Sequence, residues 1–180
     1  LELGGKSPNI VFEDADFESA VMGAISGIFA ATGQTCLAGS HLLVQRSIHD
    51  SFVERLIEVA KEAKIGDPMS TETHVGPVTT PPQYKKILDY IEVGRKEGAK
   101  CVLGGKPYAG DGLRSDRFVE PTIFTGVSNQ MRIAQEEIFG PVLSVIPFDD
   151  EEEAIALGND IVFGLAAGVW TSDIGRALRM

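Results

Sequence analysis

The chain of 180 residues is 43% hydrophobic and 23% charged, which suits one soluble globular domain at about 100–200 residues per domain and excludes a disordered chain. A net charge of −10 without a Lys/Arg cluster argues against a nucleic-acid partner, and the lack of a long apolar stretch or a basic-then-apolar leader argues against a membrane span or a secretory signal. Two cysteines, Cys36 and Cys101, make neither a CxxC pair nor a disulfide framework, so a reducing, cytoplasmic setting is expected.

Residues 8–12 are a short β-rich segment. Phe17, Ala20, Val21, Ala24, Ile25, Ile28 and Phe29 then recur at helical spacing, with Asp14 and Asp16 suited to the helix start and Gly33 to its end. Residues 41–46 predict a second strand. Residues 49–64 predict a helix with Phe52, Leu56, Ala60 and Ala63 on one face, stopped by Gly66, Asp67 and Pro68. After a polar loop to Thr80, Pro81 and Pro82 open a third helix, which aligns Tyr84, Ile87, Leu88 and Ile91 and ends at Gly98. Residues 100–103 read as a strand and the Gly-rich residues 104–117 as an exposed loop or hairpin. Residues 118–127 and 142–148 predict further strands. Residues 149–153 form the acidic first turn of a surface helix. Residues 164–171 are a last strand, and Ile174, Ala177 and Leu178 begin another helix. Strand and helix alternate throughout, so the expected class is α/β, with a mostly parallel twisted sheet flanked by helices and no second domain.

Several familiar signals are incomplete. Gly5-Lys6-Ser7 matches only the tail of a phosphate-binding loop. No G-x-G-x-x-G or G-x-S-x-G is present. His41, His49 and His74 have no metal-ligand spacing and are expected at the surface or at strand ends, and Cys101 as a small buried hydrophobe, so no metal site is expected.

Three segments combine reactive side chains with glycine. In residues 1–8, Glu2 sits among apolar residues before Gly4 and Gly5. Partial desolvation there raises a carboxyl pKa and suits a general base, although a strand-end surface carboxylate is the simpler reading. In residues 29–40, Cys36 lies just past a helix among small residues and glycines. That setting leaves room for a substrate and lets backbone N–H groups converge on an oxyanion. In residues 135–141, Glu136 and Glu137 lead through Phe139 into Gly140-Pro141. A carboxylate there can accept from ribose hydroxyls, and a ring can flank a flat heterocycle.

Together these segments closely resemble the NAD(P)-dependent aldehyde dehydrogenase superfamily. Residues 1–8 are similar to its glutamate signature, residues 29–40 to its cysteine signature, and residues 136–141 to its E-[IV]-F-G-P cofactor motif. Residues 164–171 also follow the family pattern. The resemblance covers essentially the whole chain and implies the fold of the family's catalytic domain. It implies that Cys36 is the nucleophile and Glu2 the base that activates hydrolytic water. Glu137 then binds the nicotinamide ribose, Phe139 packs beside the nicotinamide, and Gly4 and Gly5 let the backbone pass close to the cofactor, NAD or NADP. Thr35 and Leu37 flank the nucleophile and are expected to touch the aldehyde. The presence of Glu2 favours release of a free carboxylic acid over transfer to coenzyme A.

By the same resemblance, residues 1–180 are the catalytic domain, without the N-terminal cofactor-binding domain, the amide that completes the oxyanion hole, or the C-terminal oligomerisation segment. The start at Leu1 fits a cut chain, and the parent protein is expected to be a homo-oligomer, a dimer or tetramer. This piece alone is then expected to lack dehydrogenase activity. A weak thiol esterase and an inert folded domain are the alternatives.

Overall fold

The computed structural model describes residues 3–110, 113 and 116–180. The predicted base, Glu2, lies outside the described residues. Six strands form one sheet in the order β3-β4-β5-β2-β1-β6. They are β1 (Pro8–Val11), β2 (His41–Gln45), β3 (Lys100–Leu103), β4 (Thr122–Thr125), β5 (Val142–Phe148) and β6 (Gly168–Trp170). All neighbours run parallel except the β3–β4 pair. The register places Pro8 opposite His41, so β1 and β2 start level, and His41 opposite Ser144, so β5 starts two residues earlier. The mostly parallel α/β class expected from the alternating periods is what the structure has.

Helices α1 (Phe17–Phe29) and α2 (His49–Lys61) cover one face of the sheet. Helices α3 (Pro81–Lys96), α4 (Arg132–Gln135) and α5 (Glu151–Asn159) cover the other, and α6 (Ile174–Arg179) closes the chain with no buried residue. Val11, Leu42, Val44, Leu143 and Val145 pack with Ala20, Val21, Ile28, Phe52 and Leu56. Ile10, Leu43, Ile146 and Phe148 pack with Ile87, Ile91, Ile133 and Ala154 on the opposite face. Burial on both faces explains why the central strands are near-continuous apolar runs, as parallel sheets require. Among the described residues no helix is long and apolar enough to cross a membrane.

Local chemistry sets most boundaries. Asp16 caps α1 through its carboxylate and the Ser19 N–H at 2.9 Å, and Asp150 caps α5 through the Glu153 N–H at 2.9 Å. Asp14, expected at the same helix start, instead accepts from Thr171, Ser172 and Arg176, tying the end of β1 to the region after β6. Helix α2 stops at Lys61, short of the predicted 64, because Lys64 is captured by His74: its N–H donates to His74 Nδ1 at 3.1 Å. The strand predicted over 118–127 is reduced to residues 122–125. Pro121 has no N–H for a ladder, and Val119 bridges Pro107 instead. The strand predicted over 164–171 holds only residues 168–170, since Leu165 turns onto Gly5.

His41 stands at a strand end, one of the two places expected for it. It is fully buried there, and neither ring nitrogen has a hydrogen-bond partner. His49 opens α2 beside Asp50, and His74 is the acceptor just described. Cys101 is only half-buried on the edge strand β3, its Sγ donating to the Leu103 carbonyl at 3.3 Å.

Burial, reinforced by the charge of Lys6, lowers the His41 pKa to about 4 from an ordinary 6.5, with Asn129 beside the ring acting weakly in the opposite direction. The unfolded chain therefore binds a proton at His41 that the folded chain refuses. Stability from this group is present above about pH 6.5 and is lost as pH falls towards 4. Urea unfolding at about pH 7 and 5 should show a loss of about 2 kcal/mol attributable to His41. The His41→Gln variant should show that much less acid sensitivity.

Candidate active site

The loops that precede β5, β2, β1 and β6 meet at one edge of the sheet, the edge where the parallel strands begin. These four strands are consecutive neighbours, so their leading loops are neighbours as well. Residues 3–7 lead into β1, residues 34–40 into β2, residues 136–141 into β5, and residues 160–167 into β6.

Gly5 is where three of these loops touch. Its N–H donates to Glu137 Oε1 at 3.0 Å. A methyl group on its Cα would collide with the carbonyl oxygen of Cys36 and sit 3.2 Å from the Leu165 side chain. The segment leading into β1 thus passes flush against the cysteine loop, which only glycine permits. A methyl on Gly4 would lie 3.1 Å from Glu137 Oε2 and 3.2 Å from the Phe163 ring. The two glycines therefore leave space directly over the Glu137 carboxylate. Among the described residues the Gly5 N–H is the one hydrogen-bond or ion-pair partner of Glu137, so its second oxygen remains available.

Cys36 lies in a turn closed by the Ala38 N–H donating to the Thr35 carbonyl at 3.0 Å. It is half-exposed, and Leu37 beside it is 55% exposed. Among the described residues nothing accepts the backbone N–H of Cys36. The turn is held from behind. Ala31 and Thr32 adopt left-handed backbone conformations with φ of 49° and 59°, costly for residues with a Cβ. Thr32 Oγ1 compensates by donating to the Gly76 carbonyl at 3.2 Å and accepting the Gly76 N–H at 3.1 Å. Gln34 Oε1 accepts from both the N–H and the hydroxyl of Thr79 at 2.9 Å. Leu37 also borders a cleft of about 330 Å³ that includes Asn9, Gly39, Gly168 and Trp170.

The third loop is strained at the residue expected to flank a heterocycle. Phe139 has φ of 59°, a genuine outlier for a bulky side chain. Gln83 of α3 fixes it, its Nε2 donating to the carbonyls of Ile138 at 2.8 Å and Phe139 at 2.9 Å. Gly33 then lets the chain ahead of the cysteine loop pass against the backbone of Gly140, and Gly140 itself leaves room for the Ile87 side chain of α3.

Glu136 and Glu137 have different surroundings. Glu136 accepts from Arg132 Nε at 2.7 Å, from Arg132 Nη2 at 2.9 Å and from the Tyr90 hydroxyl. These bonds, with the arginine's charge, hold its carboxyl at about 2. Burial pushes the Lys6 amine down to about 7, against the opposing pull of Glu137 and Glu136.

Of the expected site residues, Cys36, Gly4, Gly5 and Glu137 are brought together, with Phe139 two residues beyond Glu137 in the same loop. Glu2 is outside the described residues. Thr35 and Leu37 are both exposed beside Cys36, as a substrate-facing role requires. Thr32, Gln34 and Leu165 fall in segments singled out above without a role of their own, and Gln83 and Phe163 carried no local signal; all five position the loops. Lys6 was visible only as a fragment of a phosphate-loop pattern. Among the described residues no group of His, Cys, Asp and Glu is arranged to hold a metal ion.

The family model for "Aldehyde dehydrogenase family" matches residues 1–180. The chain belongs to the aldehyde dehydrogenase family. It is 52% identical over 180 residues to a betaine aldehyde dehydrogenase of Mesorhizobium japonicum and 51% identical to one of Brucella anthropi, covering all of this chain and 37% of each relative. A crystal structure of betaine aldehyde dehydrogenase from Staphylococcus aureus, in complex with NAD+, superposes with a TM-score of 0.97 at 48% identity, over 99% of this chain and 36% of that one. An NAD-dependent aldehyde dehydrogenase from Sinorhizobium meliloti superposes with a TM-score of 0.95 at 42% identity, over 99% of this chain and 35% of that one. The chain therefore spans little more than a third of the length of these relatives.

The glycines give this aldehyde dehydrogenase chain a test of its geometry. Gly5→Ala should destabilise it by about 1–3 kcal/mol, the usual range for forced overpacking, and should alter the alkylation rate of Cys36 by iodoacetamide. Gly27→Ala is the control: it lies on an exposed part of α1, where an added methyl meets nothing closer than 4.0 Å, and it should raise stability by about 0.5–1 kcal/mol.

Proposed function

We propose that this chain is the catalytic domain of an aldehyde dehydrogenase that converts an aldehyde to a carboxylic acid with NAD+ or NADP+. The observation that carries the proposal is the meeting of Cys36, Glu137 and the Gly4-Gly5 backbone at one point, within a chain of this family. A structure of the Staphylococcus aureus relative contains both NAD+ and a BME-modified cysteine, so a reactive thiol and the cofactor occur together in a relative. The residues here fit a dinucleotide. Gly4 keeps the space over the free oxygen of Glu137 clear for ribose hydroxyls, and the loop holding Phe139 is clamped by Gln83.

In the proposed reaction, Cys36 Sγ attacks the aldehyde carbon to form a thiohemiacetal. The free N–H of Cys36 receives the developing oxyanion. The nicotinamide, when bound, accepts the hydride lost from that carbon. This leaves a thioester on Cys36. Glu2 takes a proton from water, the resulting hydroxide attacks the acyl carbon, and the Cys36 thiolate leaves with release of the acid. Covalent attachment divides one difficult oxidation into two easier steps. The relatives' names make betaine aldehyde the first substrate to try. Both cysteines are free, compatible with the reducing cytoplasm proposed for the protein.

In a protein of full family length that carries this chain, Cys36→Ala should lower NADH formation by roughly four orders of magnitude. Glu2→Gln should allow the thioester on Cys36 to accumulate, visible as a mass increase equal to the acyl group. NADH formation at wild-type rate by the Cys36→Ala variant would overturn the proposal. The 180-residue chain by itself should form no NADH. Nitrophenol release from an activated ester by that chain, if seen, should disappear in Cys36→Ala.

A further inference from the structure

The proposed reaction has no role for Lys6, yet it is among the largest fully buried side chains of the described residues. It is 1% exposed, and its Nζ has no hydrogen-bond partner. The nearby polar side chains do not supply one: Ser7 Oγ, both ring nitrogens of His41 and Asn129 Oδ1 are themselves buried and unpartnered. A buried amine left in this state destabilises a fold, and an apolar side chain of similar length would not. Its position suggests what it does. Lys6 directly follows Gly5, whose N–H fixes one oxygen of Glu137. The charged groups within its electrostatic reach are Glu137, Glu136 and His41. Glu136 is already neutralised by the two-pronged contact with Arg132 and the Tyr90 hydroxyl. His41 is kept uncharged by burial at neutral pH. Glu137 has no ion pair among the described residues.

We propose that Lys6 is a positioning residue for Glu137: its buried amine balances and orients the carboxylate that Gly5 anchors, so that the free oxygen faces the ribose of the dinucleotide. This rests on the reading of Glu137 as the ribose-binding residue. No hydrogen bond joins the amine to Glu137; it acts through space across a low-dielectric interior, where charge is felt strongly, and only in its protonated form, which burial reduces to about half at pH 7.

The test is a double-mutant cycle in the protein of full family length that carries this chain. NAD+ affinity is measured by fluorescence titration without aldehyde, alongside thermal unfolding. Lys6→Met should weaken NAD+ binding about tenfold, the size of one well-placed charge interaction. It should leave the melting temperature unchanged or higher, because it removes an unpartnered buried amine. Lys6→Arg should recover most of the lost affinity. In a Glu137→Gln background, Lys6→Met should have almost no further effect. Full additivity of the two substitutions, or unchanged NAD+ affinity in Lys6→Met, would overturn the inference. A lower melting temperature with equal loss of affinity in both backgrounds would make Lys6 purely structural. Unchanged affinity in Glu137→Gln alone would instead overturn the reading of Glu137 beneath it, and this inference with it. If Lys6→Met does not fold, Lys6→Gln, which keeps polar capacity and removes the charge, carries the same cycle.

Discussion

The contact at Gly5 is what makes one site out of four loops. Its N–H holds the Glu137 carboxylate, and its missing side chain lets the Cys36 carbonyl lie against the backbone that leads into β1. One residue thereby fixes the separation between the Cys36 loop and the Glu137 loop. Any side chain there must push the two apart. In the proposed reaction that movement would affect bond formation at sulfur and cofactor placement together, since attack geometry tolerates displacements of well under an ångström.

The sheet gives this contact its rigidity. Open parallel sheets usually bind ligands outside the carboxyl ends of their strands. Here the reactive loops gather at the opposite edge, where β5, β2, β1 and β6 begin. Two features allow it. The strands start close to level, Pro8 beside His41, with β5 beginning two residues earlier. Each leading loop is then braced from outside the sheet: Thr32 on Gly76, Gln34 on Thr79, and Gln83 on Ile138 and Phe139. These braces hold Ala31, Thr32 and Phe139 in left-handed conformations that isolated residues would avoid.

Much of this was legible in the sequence, and the pattern of success is physical. Helices α1 and α3 showed themselves by spacing, capping and, for α3, the Pro-Pro start, all of which are local. Cys36, Glu137, Gly4 and Gly5 stood out because reactive side chains next to glycine are an uncommon local pattern. What escaped was long-range. Gln83 is an ordinary polar residue of a surface helix until α3 packs against the loop 55 positions later. Leu165 looked like part of a strand and Phe163 lay just before it, but the glycines they cover are over 150 positions earlier. His41 was legible as a strand-end histidine, but its burial was not, because nothing nearby in sequence reveals that both sheet faces are covered. The strand over 118–127 was overextended because apolar character outweighed Pro121, whose missing N–H ends the ladder.

Lys6 and His41 share an explanation that neither has alone. Each is buried without a hydrogen-bond partner, and the charge of Lys6 adds to burial in keeping the His41 ring neutral. Burial brings the amine to about 7, with the carboxylates in reach favouring its proton, so at neutral pH the compartment's positive charge is a partly protonated amine and not a charged ring. Were His41 replaced by an acidic residue, Lys6 would gain a counter-charge that competes with Glu137. Were it replaced by a cationic one, protonation of the amine would be opposed further. An uncharged side chain at the first position of β2 is thus part of how the carboxylate at the start of the neighbouring β5 loop keeps its electrostatic partner. The stability given up by burying a lysine is consistent with a fold that favours placement of charge at its reactive edge over a fully apolar interior.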